Sequence, residues 1–220
     1  PHGYHHFAWI DLDGDHTHAT TMLIVCPRQC YRPDEVRRGL RLWGPGLQLY
    51  AVRSATNWGI GDFGDLKRIA GTLADSGAGL IGLNPLHALF PWSPEVASPY
   101  SPTDRIRLNV LMIDVTALPE YAECAEVRVK VESAEFQSRL AQLRAEEMVD
   151  YAGVAAAKWP VLQSLYRHFN EVDRARGSER AREFERWCDH GGDVLRKLAL
   201  YDAIQLQMRA EYPSRWGWPA

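Results

Sequence analysis

The feature that most constrains the fold is a change of hydrophobic period between Leu47 and Leu83 of this 220-residue chain. Leu47–Val52 is a short apolar run typical of a buried strand. A helix follows, from Asp62 as N-cap to Gly77, and Leu80–Leu83 is a second apolar run. The helix carries apolar residues at helical spacing: Leu66, Ile69, Ala70 and Leu73. Strand, helix and strand in this order predict a βαβ unit with parallel strands, and therefore an α/β fold.

The segment Gly59–Gly64 matches the G-x-G-x-x-G pattern of dinucleotide-binding loops. In those loops the glycines directly follow the strand, whereas here residues 53–58 intervene. Asp62 would also place a carboxylate beside the pyrophosphate. We therefore interpret the glycines as turn residues and Asp62 as a helix cap. A nucleotide-cofactor oxidoreductase is the least favoured of the possible functions.

A long loop follows the second strand, from Leu86 to about Leu108, and is dense in proline, serine and aromatic residues. Loops longer than about 15 residues are usually functional or disordered, and Phe90, Trp92 and Tyr100 argue against disorder. We predict an ordered loop over a site. Aromatic faces with hydroxyl-bonding neighbours suit a sugar, but a structural loop pinned by its own aromatics fits the residues equally well.

The chain is predicted to have three parts. Residues 1–40 hold two strand-like runs that predict a β-hairpin, Tyr4–Ile10 and Ala19–Val25. Residues 41–118 hold the βαβ unit, the long loop and a last run, Asn109–Val115, that is strand-like or an extended edge segment.

Residues 119–220 are predicted to be mainly helical, with a break at Gly191–Gly192 and apolar stripes that we assign to packing. The chain begins at Pro1 rather than methionine and ends in the aromatic stretch Trp216–Ala220. We therefore expect it to be a piece of a longer protein.

Composition excludes several classes of function. The chain has 25 basic and 28 acidic residues, a net charge of −3, and no basic block, which argues against nucleic acid as a partner. No apolar run approaches the roughly 18 residues of a membrane-spanning helix, so no membrane is predicted. Four sparse cysteines suggest reduced thiols in a cytoplasmic protein. The histidines near the start lack acidic partners at ligand spacing, so no metal is predicted.

Glycosidic chemistry needs two carboxylates that face each other across the scissile bond. The acidic residues near the predicted strand ends form no evident pair: Asp62, Asp65, Glu95, Asp104 and Asp114. Asp62 and Asp65 are typical of a helix start, and Asp104 is expected to pair with Arg105 or Arg107. No catalytic carboxylate is therefore assigned in this chain.

Three motifs in order resemble the amylomaltases, the 4-α-glucanotransferases of glycoside hydrolase family 77. The matching stretches are Leu47–Tyr50 with Asn57–Leu66, then Ile81–Pro91, then Ala97–Pro102. The resemblance is strong over residues 44–118. It is looser over residues 25–33, which resemble the end of the family's N-terminal β domain, and over the tail, which resembles a helical insertion.

The resemblance implies the start of a (β/α)₈ TIM barrel and part of an enzyme that transfers α-1,4-glucan segments between malto-oligosaccharides without a cofactor. Its nucleophile and acid/base residues are expected on later strands, so this chain alone is predicted to be inactive. Six residues are implied as substrate-binding: Tyr100 beside the cleaved bond, Ser98, Asn84 and Asn109 in the same pocket, and Asn57 and Trp58 at its mouth. A non-catalytic carbohydrate-binding module is the alternative function.

Overall fold

A computed structural model describes residues 1–11, 13–14 and 16–212. The chain divides into two compact units, residues 1–42 and residues 43–220. The predicted boundary at residue 118 lies inside the second unit and stays a prediction. The aromatic tail Trp216–Ala220 lies outside the described residues.

The first unit contains an antiparallel hairpin. β1 (Gly3–Ile10) pairs with β2 (Thr17–Val25), and the register irregularity falls between Trp9 and Ile10. Aromatic and β-branched residues in both runs favour extended backbone. The predicted hairpin is confirmed, and a short helix, α1 (Asp34–Arg37), follows it.

The second unit begins with the βαβ motif. β3 (Gly46–Leu47) lies parallel to β4 (Gly82–Leu83), and α2 (Phe63–Asp75) connects them. Asp62 caps α2 by accepting a hydrogen bond from the Asp65 amide at 3.0 Å. The parallel pairing and the predicted cap are confirmed, and the chain is of mixed α/β type.

The first predicted strand is shorter than expected. It ends at Leu47 because Leu49–Ala51 forms a 3₁₀ turn. The Leu49 amide donates to the side-chain oxygen of Asn84 at 3.0 Å. This side-chain bond replaces a ladder bond, so the strand does not continue.

The strand predicted over Asn109–Val115 is wrong. Two 3₁₀ turns lie there instead, Val110–Met112 and Val115–Ala117. Asn109 starts the first turn and Asp114 the second, each by accepting a hydrogen bond from the amide two residues later. Local bonds of this kind from Asn and Asp compete with strand pairing.

The remainder of the described chain is mainly helical, as predicted. The helices are α3 (Pro119–Glu123), α4 (Ala125–Glu132), α5 (Ala134–Ala145), α6 (Tyr151–Phe169) and α7 (Glu179–Glu211). A π-type turn, Asn170–Arg174, follows α6. Gly192 breaks α7 with φ 53° and ψ −145°, which confirms the predicted break.

The core of the second unit joins the first loop of the βαβ motif to the helices. Trp58 and Ile60 are buried with Val131, Leu140 and Val161, among other apolar side chains of α4, α5 and α6. The indole of Trp58 meets the ring of Phe136 edge to face at 5.2 Å. Residues 57–61 are therefore buried inside the unit, whereas Arg53, Ala55 and Thr56 are exposed.

Two arginines connect the segment 53–61 to the end of α5 by hydrogen bonds. Arg53 donates to the carbonyls of Gly59, at 3.0 Å, and Glu146, at 3.1 Å. Arg144 donates to the carbonyl of Ala55 at 2.6 Å. Gly59 has φ +88°, and a Cβ there would lie 2.7 Å from Leu143 Cβ. The glycine is thus required by a turn and a close approach, which confirms the structural interpretation of the G-x-G-x-x-G segment.

Candidate functional site

The long loop after β4 is closed at its base by a short antiparallel pair. β5 (His87–Ala88) pairs with β6 (Asp104–Leu108). Outside the strands, the Asn109 amide donates to the Leu86 carbonyl at 2.9 Å, and the Thr103 amide to the Ala88 carbonyl at 3.0 Å. Residues 89–102 therefore form one loop, and hydrogen bonds hold its two ends together.

Aromatic contacts hold the loop of residues 89–102 against α7. The ring of Phe90 meets that of Trp92 edge to face at 5.3 Å, and Trp92 meets Tyr201 in the same way at 5.3 Å. Glu95 accepts from the buried hydroxyl of Ser93 and lies 3.4 Å from an Arg209 guanidinium nitrogen. The loop is therefore ordered, as predicted, and two of its three aromatics serve to hold it in place.

Tyr100 is the aromatic residue that the loop does not bury. Its side chain is 69% exposed, whereas that of Trp92 is 8% exposed. It lies in a turn in which the Ser101 amide donates to the Ser98 carbonyl at 3.2 Å, and Ser98 is also exposed. Ser98 and Tyr100 are therefore both exposed, on either side of Pro99.

Asn84 lies at the carboxyl end of β4 and uses its side chain within the fold. Its amide nitrogen donates to the Pro85 carbonyl at 3.0 Å, and its oxygen accepts from the Leu49 amide. The side chain of Asn84 therefore links the carboxyl ends of β3 and β4. It lies two residues before Leu86, which bonds the Asn109 backbone, so Asn84 and Asn109 both lie near the base of the loop.

Asn57 and Trp58 do not lie on a surface where a glucan could touch them. Asn57 is 0% exposed and Trp58 3% exposed. The Asn57 side chain donates to the Val52 carbonyl at 3.1 Å and to Asp65 at 2.8 Å, and it accepts from the Gly59 amide at 3.2 Å. Every polar atom of this side chain is used inside the fold, so Asn57 supports the surrounding loop, and the implied place of Asn57 and Trp58 at the mouth of the pocket stays a prediction.

The carboxylate of Asp65 is held by this support. Burial alone would raise the pKa of Asp65, but hydrogen bonds from Asn57, Ser54, the Asp62 amide and Arg68 lower it below its usual value. The Arg68 guanidinium donates to Asp65 at 2.6 Å. Asp65 is therefore an ionised structural carboxylate rather than a candidate acid or base.

The other acidic residues near the loop are also engaged. Asp104 forms an ion pair with Arg107 at 3.4 Å and accepts from the Ile106 and Arg107 amides, which confirms the expected pairing with Arg107. Asp114 accepts from the Thr116 hydroxyl at 2.7 Å. Both carboxylates therefore have partners within the fold.

The side chain of Asn109 has one hydrogen-bonding group that the fold does not use. Its oxygen accepts from the Leu111 amide at 3.0 Å, which fixes the orientation of the side-chain amide. Its nitrogen is buried and has no hydrogen-bond partner. Buried donors without a partner are rare in folded proteins and require an explanation.

Sequence reasoning missed two ionisable residues, the buried Lys158 on α6 and the half-buried Asp202 on α7. Lys158 is 0% exposed and donates to the carbonyls of Leu111 and Ile113, both at 2.7 Å. Burial lowers the pKa of Lys158 to about 8, against the attraction of nearby carboxylates. The signal was present, because Lys158 falls at helical spacing between Val154 and Val161 on the apolar face.

The described residues hold neither a group of metal ligands nor a membrane-spanning helix. In residues 1–11, 13–14 and 16–212 no group of three or more His, Cys, Asp or Glu side chains could hold a metal ion. Within the same residues no helix is both long and apolar enough to cross a membrane.

A family profile described as 4-alpha-glucanotransferase, that of glycoside hydrolase family 77, matches residues 47–220. The match covers the βαβ motif, the loop and all of the described helices after it. The chain belongs to this 4-alpha-glucanotransferase family. The resemblance inferred from the three sequence motifs is confirmed.

Individual members of the 4-alpha-glucanotransferase family agree with this assignment. The 4-alpha-glucanotransferase of Haemophilus influenzae is 33% identical over 212 residues, which cover 96% of this chain and 30% of the relative. That of Mycobacterium tuberculosis is 35% identical over 208 residues, 86% of this chain and 27% of the relative. The chain therefore spans about 30% of the length of the relatives that it matches.

The fold agrees as well. The crystal structure of amylomaltase from Corynebacterium glutamicum superposes with a TM-score of 0.78 and 29% identity, over 100% of this chain and 30% of that one. The family, its relatives and a solved structure thus point to the same type of protein.

Proposed function

We propose that this chain forms the glucan-contacting first part of a 4-α-glucanotransferase, in which Tyr100 lies in the wall of the saccharide cleft. The observation that carries the proposal is an exposed tyrosine on an otherwise anchored loop, and this loop follows the parallel strand β4 of a chain in this family. Loops at the carboxyl ends of parallel strands build the ligand sites of α/β folds.

The parallel pair β3–β4 and α2 are proposed to be the first two strands and the first helix of a (β/α)₈ barrel. The apolar face of α2 supports this, because Leu66, Ile69 and Leu73 are only half-buried in this chain. A helix face of this kind normally packs against the sheet it follows. The hairpin unit is proposed to be the end of an N-terminal β-rich domain.

Catalysis is proposed to need carboxylates outside this chain. Asp62 and Asp65 are occupied in a capping box, and Asp104 is paired with Arg107. The substrate is proposed to be an α-1,4-glucan or malto-oligosaccharide, by analogy with the relatives' activity. A cytoplasmic location is proposed as well, supported by cysteines that are free thiols: Cys26, Cys30, Cys124 and Cys188.

Replacing Tyr100 with alanine should weaken maltotriose binding by about tenfold, because a solvent-facing aromatic ring supplies a large contact area for the C–H face of a sugar. Tyr100→Phe keeps the ring and should bind nearly as well as the unchanged chain. Isothermal titration calorimetry with maltotriose measures both. The matched control is Tyr31→Ala in the first unit, at a tyrosine that is 85% exposed. Equal affinities for Tyr100→Ala and the unchanged chain would contradict the proposed contact.

The 220-residue chain by itself should not disproportionate maltotriose. Retaining transfer between glucans requires a nucleophilic carboxylate and an acid/base carboxylate about 5–5.5 Å apart, and the acidic side chains around the loop are engaged in caps and ion pairs. Chromatography of maltotriose incubated with the chain tests this. Release of glucose together with longer oligosaccharides would show that the reactive pair lies within these residues.

A further inference from the structure

The buried lysine of α6 holds the segment that follows the long loop. The Lys158 ammonium donates to the carbonyls of Leu111 and Ile113, both at 2.7 Å, and its side chain is fully buried. Leu111 and Met112 are buried as well. Backbone carbonyls in a protein interior need donors, because water does not reach them. An apolar residue at position 158 would fill the same space without supplying these donors.

The segment that Lys158 holds is continuous with the base of the loop. Leu111 lies two residues after Asn109, whose amide donates to the Leu86 carbonyl at 2.9 Å. Asn109 in turn directly follows β6, which pairs with β5 on the other side of the loop. A shift of the segment from Leu111 to Ile113 would therefore be transmitted to both strands that close residues 89–102.

Carboxylates of the βαβ motif and of this segment surround the same ammonium. Burial lowers the pKa of Lys158, and attraction by Asp62 and Asp114 opposes this effect. Asp62 caps α2, and the Asp114 carboxylate lies against the first turn of that helix, since a Cβ on Gly64 would come within 2.2 Å of Asp114 Oδ2. Lys158 therefore lies where α6, the start of α2 and the base of the loop meet.

The helix that carries Lys158 also adjoins the loop itself. Trp159, the next residue of α6, borders a small cavity together with Phe90 and Pro91 of the loop. The loop is thus supported by α6 at its base and along its inner side, while Tyr100 faces solvent.

We propose that Lys158 is a positioning residue for glucan binding: by holding the carbonyls of Leu111 and Ile113, it sets the place of the loop that presents Tyr100. The proposal rests on the proposed function and deepens it. Lys158 has no exposed surface with which to touch a glucan, so it acts through the loop.

Hydrogen exchange of the ¹⁵N-labelled chain at low urea concentrations tests the support without any variant. The amides of Thr103 and Asn109 close the loop, and that of Leu165 lies within α6. We expect all three to exchange through the same opening, because residues that hold one another unfold as a unit. Exchange of Thr103 and Asn109 through a separate opening, at urea concentrations where Leu165 stays protected, would overturn the proposal.

A double-mutant cycle tests whether the support reaches the glucan. Lys158→Met should weaken maltotriose binding, measured by isothermal titration calorimetry, by about fivefold. In a chain that already carries Tyr100→Ala, the same substitution should weaken binding by less than about twofold, because its effect passes through that ring. Equal weakening in both backgrounds is expected of a general structural role and would overturn the proposal.

The matched control is Leu140→Ala, which shortens a buried side chain of α5. It should lower the stability of the chain and leave the maltotriose affinity unchanged. Weakening by Leu140→Ala equal to that by Lys158→Met would mean that lost stability explains the effect. Binding that depends on Tyr100 but not on Lys158 would overturn this proposal alone, whereas absence of maltotriose binding to the unchanged chain would contradict the proposed function as well.

Discussion

Replacing Lys158 with methionine should lower the free energy of unfolding by roughly 2–6 kcal/mol. The substitution keeps the length of the side chain but removes the donors that satisfy the buried carbonyls of Leu111 and Ile113. Each buried carbonyl left without a partner costs about 1–3 kcal/mol. Urea denaturation at about pH 10.5, where the cost of burying the charge of Lys158 no longer contributes, followed by tryptophan fluorescence, measures the loss.

The same lysine should make stability depend on alkaline pH. Because burial lowers the pKa of Lys158 from its usual 10.5 to about 8, the unfolded chain holds more protons than the folded chain between these values. The free energy of unfolding should therefore rise as pH increases from 8 to 10.5 and be flat below 8, as far as Lys158 is concerned. Lys158→Met should lack this rise.

The control for Lys158 is Lys67→Met, at an exposed lysine of α2. It should change stability by less than about 0.5 kcal/mol, as is usual for surface substitutions. An equally small change for Lys158→Met would show that the segment from Leu111 to Ile113 does not depend on α6.

Replacing Asn57 with alanine should lower the free energy of unfolding by about 2–4 kcal/mol, because it removes one hydrogen bond to a charged group and leaves a buried amide without an acceptor. The charged partner is Asp65, and the amide is that of Gly59. The effect should be visible in urea denaturation near neutral pH. Gln142→Ala, at an exposed amide side chain, is the control and should be nearly neutral.

Asn57→Ala should also shift acid unfolding to higher pH. The hydrogen bonds that lower the pKa of Asp65 stabilise the fold above the carboxyl group's usual pKa, and this contribution is lost as pH falls through the lowered value. Without the Asn57 bond, the folded-state pKa of Asp65 lies higher and the loss begins earlier. An acid transition unchanged in Asn57→Ala would contradict the role assigned to this asparagine.

Much of the fold could be predicted because the signals were local. Asp62 capping α2 and glycine ending it are set by hydrogen bonds within a few residues, and the hairpin follows from strand propensity. The run Asn109–Val115 was mispredicted because its apolar residues look like a strand. The side chains of Asn109 and Asp114 instead impose turns, which apolar pattern alone does not show.

The candidate site was harder to predict because its parts come from distant segments. The sequence indicated the loop and Tyr100, but the same motif contains Asn57 and Trp58, which the fold buries. Nothing in the spacing separates a residue that touches ligand from one that supports it. Lys158 lies 47 positions after Leu111, so only the tertiary structure brings these two together.

The central claim is that a glucan lies against Tyr100. It is tested most directly by nuclear Overhauser effects between maltotriose and the ring protons of tyrosine in a chain with selectively labelled tyrosines. The proposal predicts transfer to the exposed ring of Tyr100, which the Tyr100→Phe variant would assign by loss of that signal. Transfer to other tyrosines such as Tyr166 or Tyr31, with none to Tyr100, would contradict it.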